Sequence, residues 1–149
     1  MKRFIAILAF LVPLQASVSA PVPCNTKNFK LSRLDIDPND TDYLKVIMGH
    51  SYGGEVEKFI PKLLSVNSSV YYKGSKTKPQ ITFFSTTYKE DKDARQAYEH
   101  LRHKWLNDPR DPYDVMRVKN EVIWFANNRL PIECFFKFVT EEKAKIARK

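Results

Sequence analysis

Three groups of residues have types and spacings that could do chemistry. Gly49-His50-Ser51-Tyr52-Gly53 has the GxSxG spacing with which a strand-to-helix elbow exposes a serine Oγ as a nucleophile. That use needs several strands ahead of the serine and an acid and a histidine well after it. Too little chain precedes Ser51 to supply the strands. The later histidines, His100 and His103, fall inside a predicted helix that begins with Asp91 and Asp93. A glycine-rich helix exit explains the same five residues, and a small serine esterase using Ser51 is kept as a rival function. His100 and His103 stand three apart and share a helical face, as two metal ligands would. No third ligand accompanies them, so they read as a solvated basic helix end, and no metal or cofactor is expected. Lys73, Lys76 and Lys78 follow Tyr71 and Tyr72, a mixture of charge and stacking surface that suits single-stranded nucleic acid. A polar loop between two strands has the same composition.

The elements that must position these groups are read from periodicity. The strongest β-signal spans 121–138. Val122, Ile123, Trp124 and Phe125 form a β-branched and aromatic run, and Asn127-Asn128 suit a tight turn. Leu130, Ile132, Cys134, Phe136 and Phe138 then alternate with other residues, which predicts a returning strand. A second strong strand is expected over 80–88. The clearest helix is expected over 90–106, with Ala94, Ala97, Tyr98, Leu101 and Trp105 at helical spacing and the 107–112 segment, with Pro109 and Pro112, ending it. Before it, 29–36 is a first strand or extended lead-in. A helix capped at Asp40 or Thr41 buries Tyr43, Leu44, Ile47 and Met48 and stops near Gly49 or by Gly53-Gly54. The reading makes 55–64 a strand broken at Pro61, 66–69 a polar turn, and Val70, Tyr71 and Tyr72 a short strand. Val115, Met116 and Val118 make another.

Length and charge set the frame. One domain is expected from 149 residues. Lys2 and Arg3 precede an apolar run over 4–14, the pattern of a secretory leader over 1–20 with cleavage within 16–20. No later run is long enough to cross a bilayer. The formal charge of +8 falls to +6 once the two leader cations go, which permits nucleic acid, acidic glycans or anionic membrane surfaces as partners and equally suits general solubility. The predicted domain covers 21–140, followed by a charged amphipathic tail over 141–149 that reads as a frayed helix of its own. The two cysteines, Cys24 and Cys134, are expected to bond to each other in an oxidising compartment. Asn39 and Asn67 begin N-glycosylation sequons. Together these features predict an α+β fold, a small antiparallel β-sheet with one or two packed helices.

Two stretches carry a family resemblance. The run over 122–136 (VIWFANNRLPIECFF) resembles the strand–turn–strand of the small fungal guanyl-specific ribonucleases, and 54–61 (GEVEKFIP) is similar to their glutamate–aromatic–proline strand with an insertion. The leader, the early Val22-Pro23-Cys24 and the late cysteine resemble the ribonuclease-like secreted effectors of powdery mildew fungi. In those an aromatic-x-Cys motif often stands where Val22 replaces the aromatic. The likeness covers about a third of the chain. It implies a ribonuclease-like scaffold whose catalytic set is not retained. Glu57 stands at the carboxylate position as a relic. Glu121 takes the place of the phosphate-binding arginine, unless a shifted register offers Arg117, and Phe136 takes that of the histidine acid.

The resulting expectation is a secreted, monomeric, non-catalytic effector that promotes infection by binding host protein or RNA. Lys73, Lys76, Lys78, Arg117 and Arg129 would make the RNA contacts. If protein is the partner, the contact is expected near Tyr71-Tyr72 and Phe83-Phe84. The rival from another class is an extracellular binding or inhibitor module of an animal secretome.

Overall fold

A computed structural model describes residues 23–106 and 113–148. Its strands are β1 (Lys30–Ile36), β2 (Leu63–Tyr72), β3 (Pro79–Tyr88), β4 (Tyr113–Val118) and β5 (Glu121–Asn127). Its helices are α1 (Thr41–Tyr52), α2 (Asp91–Leu106) and α3 (Ile132–Ile146). The strands form one fully antiparallel sheet in the order β1-β2-β3-β5-β4, an α+β fold. The leader expected over 1–20 and the 107–112 stop expected after the second helix lie outside the described residues. No helix among the described residues is long and apolar enough to cross a membrane.

Strand pairing decides which side chains share a face. Val66, Phe84, Thr86, Val122, Trp124 and Val115 meet across neighbouring strands on one face. There they form a core with Leu44 and Met48 of α1 and Ala94, Ala97 and Leu101 of α2. Ile81, Phe83, Ile123 and Phe125 lie on the other face, where α3 covers them with Phe135, Phe138 and Val139. The sheet is therefore a central layer between helices.

Local chemistry explains the boundaries. Asp40 caps α1, its Oδ1 accepting from the Tyr43 amide at 3.1 Å. Gly53, at φ 64°, ends α1 and returns its N–H to the Gly49 carbonyl, a conformation that favours glycine. Leu44 and Met48 are buried as expected, while Tyr43 is exposed.

Four expectations are corrected. The returning strand after Asn127-Asn128 is α3: Pro131 stands at its N-cap, and Phe135 is fully buried while Phe136 is 44% exposed, the reverse of the strand parity. The 141–149 tail is helical as expected through Ile146, but as the continuation of α3 and not as a separate piece. The 55–64 segment is a strand only at Leu63 and Leu64, which open β2; before them stand two 3₁₀ turns, Gly53–Lys58 and Ile60–Lys62, which bring Val56, Phe59 and Ile60 under the sheet. The 66–69 stretch is not a turn; it is the middle of the ten-residue β2, paired on both sides. Its Asn67 lies partly exposed on the part of the sheet that α3 leaves open, where its side chain accepts from Arg33, while Ser69 is buried beside it.

Cys24 and Cys134 are bonded, with Cα atoms 5.2 Å apart across a separation of 110 residues. The bridge fastens the lead-in to β1 onto the first turn of α3.

Candidate functional site

The residues proposed as nucleophile, acid or relic take structural roles. Ser51 is 4% exposed in the last turn of α1, and its Oγ accepts from Trp124 Nε1 at 3.1 Å. The segment before it is a helix, so the strand-to-helix elbow is not formed here. His100 stacks on the Tyr52 ring and bonds the Tyr52 carbonyl at 2.9 Å through Nε2, with Nδ1 3.5 Å from Glu55. It holds the end of α1 against α2. His103 lies exposed one turn further along α2. No group of three or more His, Cys, Asp or Glu side chains suited to a metal occurs among the described residues.

Glu57 is exposed in the first 3₁₀ turn and pairs with Lys45 at 2.9 Å. Glu121 accepts from the Ser85 hydroxyl on the open face of the sheet. Phe136, on α3, points away from the core. These positions occupy three different elements, and no shared centre joins them.

The predicted cations divide into two sets. Lys73, Lys76 and Lys78 sit in the loop joining β2 to β3, with Gly74 at φ 83° allowing its sharp course. Arg129 follows β5 and is fixed beside the same hairpin, its amide bonding the Gln80 carbonyl at 3.2 Å. Arg117 does not belong with them. It lies at the opposite end of β5's partner strand, beside the Lys119 turn, and donates to Asp91 at 2.6 Å and to the Lys119 carbonyl at 2.7 Å. The β4–β5 register, Arg117 opposite Val122, enforces the separation.

A cation missed in the sequence joins the first set. Lys30 pairs with Tyr72 at the start of β1, beside the loop. Lys30, Lys73, Lys76, Lys78 and Arg129 are all exposed, and none takes part in an ion pair among the described residues. Only the β1–β2 pairing could have revealed Lys30, since nothing in the sequence sets it beside residue 73. The result is a cationic end of the sheet, with like charges close in space and solvated.

The stacking surface expected beside these lysines is largely taken up by internal packing. Tyr72 is buried. Tyr71 is half-buried against Phe138 and Phe83, and its hydroxyl donates to Glu142 at 3.1 Å. Burial and the nearby carboxylate push the Tyr71 phenol well above its ordinary range. Phe84 stacks on Trp124 and Phe83 on Phe125, so the rings of the protein-contact region expected there are half-buried and turned to partners within the molecule. The exposed large apolar side chains are instead Leu31 and Leu34 on β1, Tyr43 and Val46 on α1, Leu64, and Ile132 and Phe136 on α3.

Comparison with family models, with curated proteins and with solved structures returns no match for this chain.

Of the two sequon asparagines, Asn39 is exposed in the turn before α1, bonded to Asp37. Asn67 lies within β2, its side-chain oxygen accepting from Arg33 at 2.6 and 3.1 Å. Arg33, Asn67, Ser69, Ser85 and Glu121 line a shallow polar cleft of about 200 Å3 over Phe83 and Ile123.

Proposed function

We propose that this chain is a secreted, non-catalytic effector that binds RNA along the cationic end of its sheet. The observation that carries the reading is the convergence of Lys30, Lys73, Lys76, Lys78 and Arg129 with no acidic partner among the described residues. Cations placed together without internal partners repel one another, and a phosphate backbone relieves that repulsion while releasing its own counterions. The Cys24–Cys134 bridge supports an oxidising compartment. The engagement of Glu57 with Lys45, and the seating of Glu121 on the face opposite the helices that carry the histidines, support a binding role rather than cleavage. The stretches that resemble fungal ribonucleases form 3₁₀ turns and a strand followed by a helix. The effector part of the reading therefore leans on the leader, the cysteine placement and the antiparallel sheet.

The test is titration of a labelled short single-stranded RNA over a range of salt. Affinity is expected to fall with log slope about 0.7 per phosphate contact. Replacing Lys73, Lys76 and Lys78 by Gln should lower that slope by about two and weaken all sequences alike. Arg117→Gln should change little, because its guanidinium is committed to Asp91. No binding at low salt, or binding indifferent to the triple change, would turn the proposal to a host protein as partner.

A further inference from the structure

A cavity of about 330 Å3 opens between the last turns of α2, the start of β4 and α3. Tyr98, Arg102 and Trp105 come to it from one stripe of α2, being four and then three residues apart. Tyr113 and Asp114 come from β4 and Lys143 from α3, with the buried Val115 among the lining residues. The volume is at the lower end of the ~300–1,000 Å3 of small-ligand pockets.

Its walls differ in chemistry. On one side the Trp105 and Tyr113 rings lie parallel, centroids 4.7 Å apart and 12° from coplanar. Their orientation is held from behind: the Tyr113 hydroxyl and His50 Nε2 are 2.9 Å apart, and Lys104 donates to the His50 carbonyl at 2.8 Å. On the other side, Lys143 Nζ reaches both carboxylate oxygens of Asp114 at 3.1 Å, and Asp114 also accepts the Val115 amide at 2.7 Å. An ammonium has three donors, so this pairing leaves one over. Arg102 is exposed and makes no ion pair among the described residues. Its planar fork of donors suits an oxyanion.

An aromatic wall, a guanidinium beside it on the same stripe of α2 with no ion pair among the described residues, and a spare ammonium donor across from them match a flat ring that carries a phosphate. We infer that this cavity is a nucleotide site, with the base against Trp105 and Tyr113 and the phosphate held by Arg102 and Lys143. The choice of a nucleotide over other ring-bearing anions rests on the RNA reading above. Location favours the same choice. Tyr113 pairs with Ala126, three residues before Arg129, so the cavity lies at the cationic end of the sheet. Stacking of this kind contributes ~1–3 kcal/mol per base and tolerates any base. It would supply the aromatic contact that the buried Tyr72 does not.

The experiment titrates the disulfide-bonded chain with adenosine monophosphate, and separately with ribose and with inorganic phosphate, by calorimetry and tryptophan fluorescence. The sequence has two tryptophans, and Trp124 is fully buried beneath Phe84. A quench that vanishes in Trp105→Phe therefore locates the nucleotide in this cavity. We expect the nucleotide to quench, ribose and phosphate alone not to, and Arg102→Gln to weaken binding about tenfold without disturbing the fold, since Arg102 is exposed. Competition between the mononucleotide and short RNA would show that one nucleotide of a strand enters the cavity. Nucleotide binding without such competition would assign the cavity to free nucleotides. The inference is overturned if neither heat nor quench appears, or if Arg102→Gln leaves the affinity unchanged. Salt-dependent RNA binding through the loop lysines, with no nucleotide response, would remove this site and leave the proposed function standing.

Discussion

Trp124 joins the sheet to the helices that cover it. Its ring stacks on Phe84 at 5.1 Å and meets the Tyr52 edge at 5.5 Å, and its indole N–H ends on Ser51. The serine that a motif reading offers as a nucleophile is thus the acceptor for a buried donor. Ser51→Ala would strand that N–H, at a cost of about 1–3 kcal/mol seen as a lower urea midpoint. The same variant should hydrolyse a generic ester no differently from the parent; a loss of turnover would restore the esterase reading. Next to this contact the Tyr52 and Tyr88 hydroxyls are 2.8 Å apart. Burial, before any other cause, raises both phenols from the ordinary 10.0, Tyr88 to about 12. Above pH 10 the unfolded chain sheds these protons first, so it binds fewer than the folded one and stability falls as pH rises. The contribution is intact below about pH 10 and is lost as pH climbs towards 12. Chemical denaturation across that window should show a shallower decline in Tyr88→Phe than in the parent, and equal slopes would exclude the pair as its source.

At the scale of elements, legibility followed how many readings each pattern allowed. β3 and β5, rich in β-branched and aromatic residues, and α2, with its helical period, each allow one reading and stand where the sequence puts them. The 130–139 stretch carries two. Leu130, Ile132, Cys134, Phe136 and Phe138 alternate, while Phe135, Phe138, Val139 and Ile146 recur at helical spacing, and the second set is the one packed on the sheet. Reading the charged 141–149 stretch apart from 130–139 hid Ile146, the last member of the helical stripe. In β2 the mistake came from composition. Asn67, Ser68 and Ser69 look like a turn, yet a strand carries small polar residues where part of one face is uncovered, as it is at the partly exposed Asn67. The cap of α1 was legible because it depends on two residues only three apart, Asp40 and Tyr43. Asp40→Ala should remove the acceptor for the Tyr43 amide and lower stability by about 0.5–2 kcal/mol, whereas Asp40→Ser should retain most of it. Denaturant midpoints of the two variants decide this, and equal values would show that the side chain does not cap the helix in solution.

On the scale of the whole molecule, the candidate site was half legible. The loop lysines are adjacent in sequence and could be read together. Lys30, Arg102 and Tyr113 come near the cationic end only through pairing and packing. Arg117 left the set for the same reason, because pairing sends it to the other end. What closes the molecule is the Cys24–Cys134 bridge, and the loop it spans contains every strand, α1 and α2. In the folded state those elements are already held by two cores, so the bond acts mainly on the unfolded chain, whose freedom it restricts. The chain-entropy model gives about 4–5 kcal/mol for so long a loop. Cys24→Ser with Cys134→Ser should therefore lower the urea midpoint strongly. It should also raise the dependence of stability on urea, because an unbridged chain expands further and exposes more surface. A bond that instead stabilised the folded state locally would shift the midpoint and leave that dependence unchanged. Measuring both quantities on the double variant and on the reduced parent separates the two accounts, and an unmoved midpoint would defeat them together.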